Sequence, residues 1–294
     1  MNLVVRLKYK DEVKKLLDQG ADIILLDVCD FTSMALLPLN TEDLLDVINI
    51  VKSYRKKVYV WMNIIIHEYH LESLKSWLKV LSSTEIDGIV INDFTIYAVA
   101  REFHLDHLVI YQPGTMNTHS YDLTYLNHRI KGLTLSKEIT FDEIQQILQT
   151  PHDLEISLLG HGFVDMFFSK RKLISLYKDY RALGELDVVN ETNFVIEEKT
   201  REGIYYPIHE DLFGTHIYRD SKLESFEEID ILKNQINDFF IERMFLDDNE
   251  YYASIKAYKD PASRQGFRDK YGANYHKGFY DKPTEKTKGE KHED

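Results

Sequence analysis

The sequence predicts an α/β fold in which parallel strands alternate with helices. Short apolar segments, several of them without an internal polar residue, alternate along the chain with amphipathic segments of helical periodicity, and such apolar runs are typical of strands buried on both faces. The strand and helix unit recurs about every 20 to 35 residues, as expected for parallel strands joined by right-handed crossovers. This recurrence fits a closed barrel or a doubly wound sheet, and both folds bind ligands at the carboxyl ends of their strands.

Seven segments predict strands because they are rich in Val, Ile and Leu. In chain order they are LVVRL (3–7), DIILLDV (22–28), KVYVWMN (57–63), DGIVIND (87–93), HLVIYQ (107–112), IKGLTLS (130–136) and LEISLLG (154–160). Three of the intervening helices carry end signals. The segment KDEVKKLLDQG ends at Gly20, Thr41 is placed to cap TEDLLDVINIVKSY, and Thr140 and Glu143 are spaced as a capping box.

Composition limits the classes of function. With 294 residues, 44% of them hydrophobic, the chain is long enough for one α/β barrel or two smaller domains. The single cysteine, Cys29, excludes an intramolecular disulfide and any metal or iron–sulfur site made only of cysteines. A net charge of -13 argues against a broad phosphate-binding surface, although a local basic groove remains open. The chain has no run of eighteen apolar residues and no signal-peptide pattern at its N-terminus, which predicts a cytoplasmic protein without a membrane partner.

Polar side chains follow the predicted strands, where either fold would keep a ligand site. They are Asp27 and Asp30, Asn63 and His67, Asn92 and Asp93, the range 112–117, Lys137 and Glu138, and His161 and Asp165. Each has a structural alternative. An acid such as Asp93 would cap the next helix, His67 would start a surface helix, and His161 would be a buried, hydrogen-bonded histidine. Dinucleotide, phosphate-loop, zinc-protease and serine-hydrolase motifs are absent from the sequence.

Six separated segments resemble, in order and spacing, successive blocks of peptidase family U32, the collagenase-like peptidases. They are NIIIHEYHLESLKSWLKVL, IDGIVINDFTIYAVARE, GTMNTHS, LTLSKEITFDEI, GHGFVDMFFSKRKLISLY and YPIHEDLFGTHIY. The resemblance covers about residues 1–258 and implies that this range forms a TIM-like (β/α) barrel. Residues 259–294 then form an irregular C-terminal tail that is charged and rich in aromatic residues.

The resemblance implies a function in RNA modification, but this chain lacks the cysteines that would hold the redox centre. Better-understood members hydroxylate a tRNA wobble uridine, ribosomal RNA or a quinone precursor without oxygen, with prephenate as donor and an iron–sulfur cluster on four cysteines. Two of those cysteines belong to the block that residues 160–177 resemble, and Asp165 and Lys172 stand in their place. We therefore expect no cofactor bound by this chain alone, and an iron–sulfur cluster only in a cysteine-bearing paralogue that is its partner.

Other departures from the family pattern affect the expected ligand contacts. The Ser-Thr-Gln-x-Asn segment of the family appears here as GTMN, ending at Asn117, and its Ala-Arg-Glu appears as Ser136-Lys137-Glu138. Where arginine could bind a carboxylate through two parallel hydrogen bonds, the lysine at this position offers a single-point contact. The substrate-binding candidates are Asn63, His67, Asn117, Lys137, His161, Lys170, Arg171 and His216. The sequence does not identify the catalytic residues, and we predict no metal ligand.

Three hypotheses for function follow. The first is a cluster-free partner in prephenate-dependent hydroxylation of tRNA wobble uridine, in which the basic residues at 170–172 contact a dicarboxylate or RNA phosphate instead of forming a solvated helix start. The second is a peptidase, and the third is a barrel without catalysis that binds a small acid or a scaffold partner.

The C-terminal tail has two possible uses. Phe267, Tyr271, Tyr275 and Phe279 recur every fourth residue among basic residues. On a helix they would form one stripe that stacks on unpaired tRNA bases or docks onto the barrel. The residues from Pro283 onward are expected to be disordered.

Overall fold

The computed structural model describes residues 1–281, in which parallel strands close into a barrel. Each strand pairs with the next along the chain from β1 to β7, and β11 pairs with both β7 and β1. The strands are β1 (Asn2–Arg6), β2 (Ile23–Asp27), β3 (Lys57–Met62), β4 (Gly88–Ile91), β5 (Val109–Tyr111), β6 (Gly132–Thr134), β7 (Glu155–Ser169), β8 (Val195–Glu197), β9 (Tyr205–Glu210), β10 (Thr215–Leu223), β11 (Asp238–Ile241) and β12 (Tyr275–His276). The predicted TIM-like barrel is therefore confirmed, and the open sheet is excluded.

Most of the helices connect barrel strands and cover their outer faces. They are α1 (Val13–Asp18), α2 (Thr41–Ser53), α3 (Leu71–Leu81), α4 (Phe94–Ala100), α5 (Ser120–Leu126), α6 (Phe141–Leu148), α7 (Leu173–Tyr180), α8 (Phe226–Leu232), α9 (Asp248–Lys259) and α10 (Arg264–Tyr271). The capping box of Thr140 and Glu143 is confirmed at the start of α6. The predicted cap at Thr41 is wrong by one residue, because Asn40 accepts the hydrogen bond from the backbone of Asp43 and Thr41 is already helical.

The barrel interior and the interface between strands and helices are two separate apolar clusters. Successive strand residues point to opposite faces, so each strand divides its side chains between the two clusters. In β2, Ile23 and Leu25 pack inside the barrel, whereas Ile24 and Leu26 pack on the outer side. The interior cluster contains Val4, Ile23, Leu25, Tyr59, Trp61, Val90, Ile110 and Phe240, with Met34, Tyr218 and Met244.

The same alternation decides which polar residues reach the barrel mouth. Two positions beyond an inward-facing apolar residue, the side chain points inward again. The inward pairs are Val4 and Arg6, Trp61 and Asn63, Val90 and Asn92, Ile110 and Gln112, and Phe240 and Glu242, and the polar member of each lines one cavity. The period-2 pattern therefore assembles a ring of polar groups at the carboxyl ends of the strands.

Strand β7 leaves the barrel and continues as part of a second sheet above its mouth. It pairs with β11 as far as His161, and from Gly162 onward it pairs antiparallel with β10. Gly162 makes this change possible because its φ is +98° and a Cβ there would lie 2.5 Å from the backbone oxygen of Glu242. The second sheet continues from β10 to β9 and β8. It forms a roof over the polar ring.

The C-terminal segment packs against the barrel as far as residue 281. Only Phe267 and Tyr271 of the aromatic residues lie on α10, and Tyr275 belongs to β12, which pairs with β10. Phe267 is buried, and Tyr271 and Tyr275 pack against the main core, so docking is the use of these rings in the structure. The predicted disorder from Pro283 concerns residues outside the described range. Within residues 1–281, no helix is both long and apolar enough to cross a bilayer.

Candidate active site

A cavity of about 300 Å³ lies at the carboxyl ends of the barrel strands, beneath the second sheet. This is at the lower end of the volumes that bind small molecules. Its apolar walls are formed by Leu25, Trp61, Leu159, Phe163, Phe240 and Tyr218. Its polar groups come from the barrel strands and from the roof, so the site is complete only because β7 and β10 extend over the mouth.

Arg6 is a buried cation that lines this cavity and is held by two carboxylates. Its guanidinium donates to Glu242 at 2.8 Å and to both oxygens of Asp27 at 3.3 Å, and also to the backbone oxygen of Met34. Burial alone would lower the pKa of Arg6, but Asp27 and Glu242 more than offset it, so the pKa is raised. The guanidinium also lies 4.6 Å from the ring centroid of Trp61. Arg6 is a fixed charge in the cavity wall.

A second charged group connects the barrel with the roof. Asp165 of β7 places one carboxylate oxygen 3.4 Å from Nδ1 of His216 and 4.0 Å from Nζ of Lys137. The side chains of Lys137 and His216 are 8% and 6% exposed, and that of Asp165 is 26% exposed. Neither contact meets hydrogen-bond geometry. Asp165 Oδ1 and His216 Nδ1 have no hydrogen-bond partner within the described residues, so this group retains capacity for a bound molecule.

Ser33 lies at the centre of a hydrogen-bonded set on the other side of His216. Its hydroxyl is 2.9 Å from Nε2 of His216 and 2.9 Å from a carboxylate oxygen of Asp211. The backbone amide of Ser33 donates to Asn63 at 2.7 Å, and the Asn63 amide returns a bond to the Ser33 carbonyl. Asn63 therefore positions the loop that carries Ser33. The Ser33 hydroxyl therefore stands between the imidazole of His216 and the carboxylate of Asp211.

Several buried polar atoms at the cavity have no hydrogen-bond partner. Such atoms are costly unless water or a ligand satisfies them. Within the described residues they are Arg6 Nε, Trp61 Nε1, Asn92 Oδ1, Asp165 Oδ1 and His216 Nδ1, and all five residues line the cavity. The cavity thus offers both donors and acceptors to a polar guest with an apolar body.

The structure brings together about half of the predicted substrate-binding residues. Asn63, Lys137, Lys170 and His216 line the cavity, as does Asp165. His67 lies at the rim, where its ring contacts the Lys170 ammonium and stacks on Tyr69 at 5.5 Å. Arg171 is exposed beside the cavity, and Lys172 precedes the first residue of α7.

Asn117 and His161 lie outside the cavity wall. Asn117 is 3% exposed and donates to the backbone oxygen of Thr134 at 2.9 Å, so it fixes the loop after β5. His161 is 1% exposed and lies between the hydroxyls of Tyr258 and Tyr275, at 3.2 and 3.1 Å. Burial, together with the nearby Lys222, lowers the pKa of His161 to about 3. His161 is therefore a buried, hydrogen-bonded histidine and not a residue of the cavity wall.

Four residues of the site were not predicted, namely Arg6, Ser33, Asp211 and Glu242. Arg6 lies within an apolar strand segment, and an inward-facing cation in such a segment was the available signal. Glu242 follows β11, the barrel strand that the sequence analysis missed. Ser33 and Asp211 lie in loops, and their contact spans 178 residues of chain.

The order of the segments and the barrel agree with the resemblance to peptidase family U32. A comparison with family models decides whether the chain belongs to this family. The model of peptidase family U32 matches residues 8–288. The chain belongs to peptidase family U32. Its match extends through the C-terminal segment that docks on the barrel, so that segment is part of the family architecture.

Several curated relatives of this U32 chain are named after tRNA hydroxylation. The chain is 29% identical to "tRNA hydroxylation protein P2" of Bacillus subtilis, over 65% of this chain and 62% of the relative. It is 25% identical to "tRNA hydroxylation protein P1" of the same organism, over 46% and 32%. It is 26% identical to "tRNA hydroxylation protein P" of Escherichia coli, over 66% and 52%. These matches span one third to three fifths of the relatives, and they show that paralogues with this name occur in one organism.

The residues of this U32 chain do not fit an iron–sulfur cluster. Asp165 faces His216 and Lys137, and Lys172 lies at the start of α7. The one cysteine, Cys29, lies outside the cavity wall, and burial and the neighbouring Asp30 raise the pKa of its thiol, which disfavours the thiolate that iron requires. Within residues 1–281, no three His, Cys, Asp or Glu side chains are grouped to hold a metal ion.

Proposed function

We propose that this chain is a cluster-free subunit of an assembly that hydroxylates tRNA wobble uridine, that its cavity binds prephenate, and that a cysteine-bearing paralogue holds the iron–sulfur cluster. One observation carries the proposal. The chain keeps a barrel cavity with unsatisfied polar atoms but has Asp165 and Lys172 where the family resemblance places two cluster cysteines. The tRNA hydroxylation names of its relatives supply the reaction.

The charges of the cavity support a small carboxylic acid as the ligand. The Arg6 guanidinium is paired with Asp27 and Glu242, and only its Nε has no partner within the described residues. The lysine ammonium groups of the cavity wall, which can pair with a ligand carboxylate, are those of Lys137 and Lys170. Nζ of Lys137 is 4.0 Å from Asp165, a loose contact that a ligand carboxylate can replace. The surrounding aromatic and aliphatic walls suit the carbocyclic ring of prephenate.

The rim of the cavity supports an RNA contact. Lys170 lines the cavity, and the exposed Arg171 lies beside it, so a strongly negative chain presents local positive charge at the entrance of its site. Cations at this position can pair with phosphates without reading the base sequence. Phe167 and Phe168 of β7 are 45% and 37% exposed near the same rim, and exposed rings can stack on unpaired bases.

An affinity purification from extract of the source organism tests the partnership. The proposal expects a U32 paralogue with cluster cysteines in the eluate, together with iron and with tRNA that is released by salt. Protein that elutes alone, without iron or RNA, contradicts it.

Ligand binding by the isolated chain tests the cavity separately. In titration calorimetry, prephenate should bind the wild type, and Lys137→Ala should weaken the affinity about tenfold or more, because it removes a charged hydrogen bond. The exposed Lys79 of α3 supplies the matched control, Lys79→Ala, which should bind as the wild type does. Equal affinity in the wild type and Lys137→Ala would remove Lys137 from the site.

A further inference from the structure

A serine, a histidine and an acid meet at the cavity in the order required for nucleophilic catalysis. Oγ of Ser33 lies 2.9 Å from Nε2 of His216, and the other ring nitrogen of His216 lies 3.4 Å from Oδ2 of Asp165. All three residues line the same cavity. Nothing in tRNA hydroxylation by a cluster in another subunit requires this arrangement.

The protons of this group can be assigned from its neighbours. The Ser33 hydroxyl has one proton, which it donates to Oδ2 of Asp211. Rotation about the Cβ–Oγ bond redirects this proton to Nε2 of His216, which lies at the same distance of 2.9 Å. Asp211 already accepts backbone N–H groups from Met34, Phe213 and Gly214 at 2.7 to 3.1 Å, so its charge is stabilised without the serine. Asp165 faces Nδ1 of His216 and favours the tautomer that carries its proton there. Nε2 is then left as the acceptor for the Ser33 proton.

We propose that Ser33 is a nucleophile for acyl transfer, with His216 as its general base and Asp165 as the residue that orients the histidine. This activity goes beyond the proposed function and does not depend on it. Phe163, Phe168 and Tyr218 line the cavity, and the Phe168 ring lies 4.6 Å from the His216 ring. These apolar surfaces favour an ester of a small carboxylic acid with an apolar acyl group.

The reaction needs only the ester and water. Ser33 Oγ bonds to the carbonyl carbon while its proton moves to Nε2 of His216, and the alcohol leaves with that proton as the ester C–O bond breaks. Water then attacks the acyl-serine ester through the same histidine, which releases the acid and restores the Ser33 hydroxyl. The imidazolium that forms in each step faces the carboxylate of Asp165.

Covalent labelling of the isolated full chain tests this inference. An alkyl fluorophosphonate should add to the wild type, and peptide mapping by mass spectrometry should place the adduct on Ser33. The chain should also hydrolyse p-nitrophenyl butyrate, and the fluorophosphonate should abolish this hydrolysis.

Variants separate catalysis from a structural role. His216→Gln should slow labelling by about 10²–10⁴-fold, the usual contribution of a general base, and Asp165→Asn should slow it as well. The exposed Ser76 of α3 supplies the control, and Ser76→Ala should label at the wild-type rate. The inference is overturned if the folded wild type gives no adduct, if the adduct lies on another residue, or if His216→Gln labels as fast as the wild type. Iron, tRNA and a partner are absent from these assays, so their result is independent of the proposed function.

Discussion

Oδ2 of Asp165 lies 3.4 Å from Nδ1 of His216, so a carboxylate and a histidine face each other in the segment where related proteins are expected to place a cluster cysteine. Both side chains line the barrel cavity, and Lys137 approaches the same carboxylate. This segment therefore contributes a charged side chain to the cavity.

The purified chain should not assemble an iron–sulfur cluster. After anaerobic incubation with iron, sulfide and thiol, followed by desalting, iron and acid-labile sulfide should stay at the level found for Cys29→Ser, because one thiol cannot supply a thiolate ligand set. Iron and sulfide retained in stoichiometric amounts by the wild type would show that the chain holds the cluster itself.

Arg6→Met should strongly destabilise the fold. The change leaves Asp27 and Glu242 buried without their cation, and breaking a buried pair by removing one partner costs about 3–5 kcal/mol. Urea unfolding followed by circular dichroism measures the loss. Arg101→Ala, at an exposed position on the surface, should change the free energy of unfolding by no more than about 0.5 kcal/mol. A similarly small effect for Arg6→Met would contradict the role of Arg6 as the paired buried charge of the site.

More of the barrel than of the candidate site could be predicted from the sequence. Seven strands were evident because their apolar runs are long and rich in β-branched residues, whereas β11 has four residues, Asp238–Ile241, within a polar context. Asn63 and Lys137 could be predicted because they follow recognisable strands. Ser33 and Asp211 could not, because their contact depends on how the β9–β10 hairpin folds back over the mouth. A local sequence pattern cannot predict a contact between two residues that are 178 positions apart.

Gly162→Ala and Gly266→Ala should have opposite effects on stability. At Gly162 the left-handed φ of +98° and a backbone oxygen 2.5 Å from the added Cβ should cost about 1–3 kcal/mol or more. Gly266 lies within α10 with no heavy atom within 4 Å of an added Cβ, so alanine there should stabilise by about 0.5–1 kcal/mol. Chemical denaturation of the two variants gives both values. Equal effects would contradict the bend that directs β7 from the barrel into the roof.

His161 should contribute to acid sensitivity. Its pKa is about 3 in the folded state against 6.5 as its ordinary value, so between these values the unfolded chain binds a proton that the folded chain does not. This contribution to stability is complete above about pH 6.5 and is lost progressively as the pH falls toward 3.

His161→Gln tests this contribution because glutamine does not titrate and can still bond to the two tyrosine hydroxyls. The free energy of unfolding should therefore fall less steeply between pH 7 and pH 5 than in the wild type, by up to about 1.4 kcal/mol per pH unit. His107→Gln, at an exposed position, should follow the wild-type curve. Parallel curves for His161→Gln and the wild type would show that His161 is not buried in its neutral form.

Nucleoside analysis of tRNA tests the central claim most directly. Total tRNA from a strain that lacks this chain, digested and separated by liquid chromatography with mass spectrometry, should have lost hydroxylated wobble uridine. Re-expression of the wild-type chain or of Lys79→Ala should restore the nucleoside, whereas Lys137→Ala should not. An unchanged level of hydroxylated uridine in the deletion strain would contradict a role for this protein in tRNA hydroxylation.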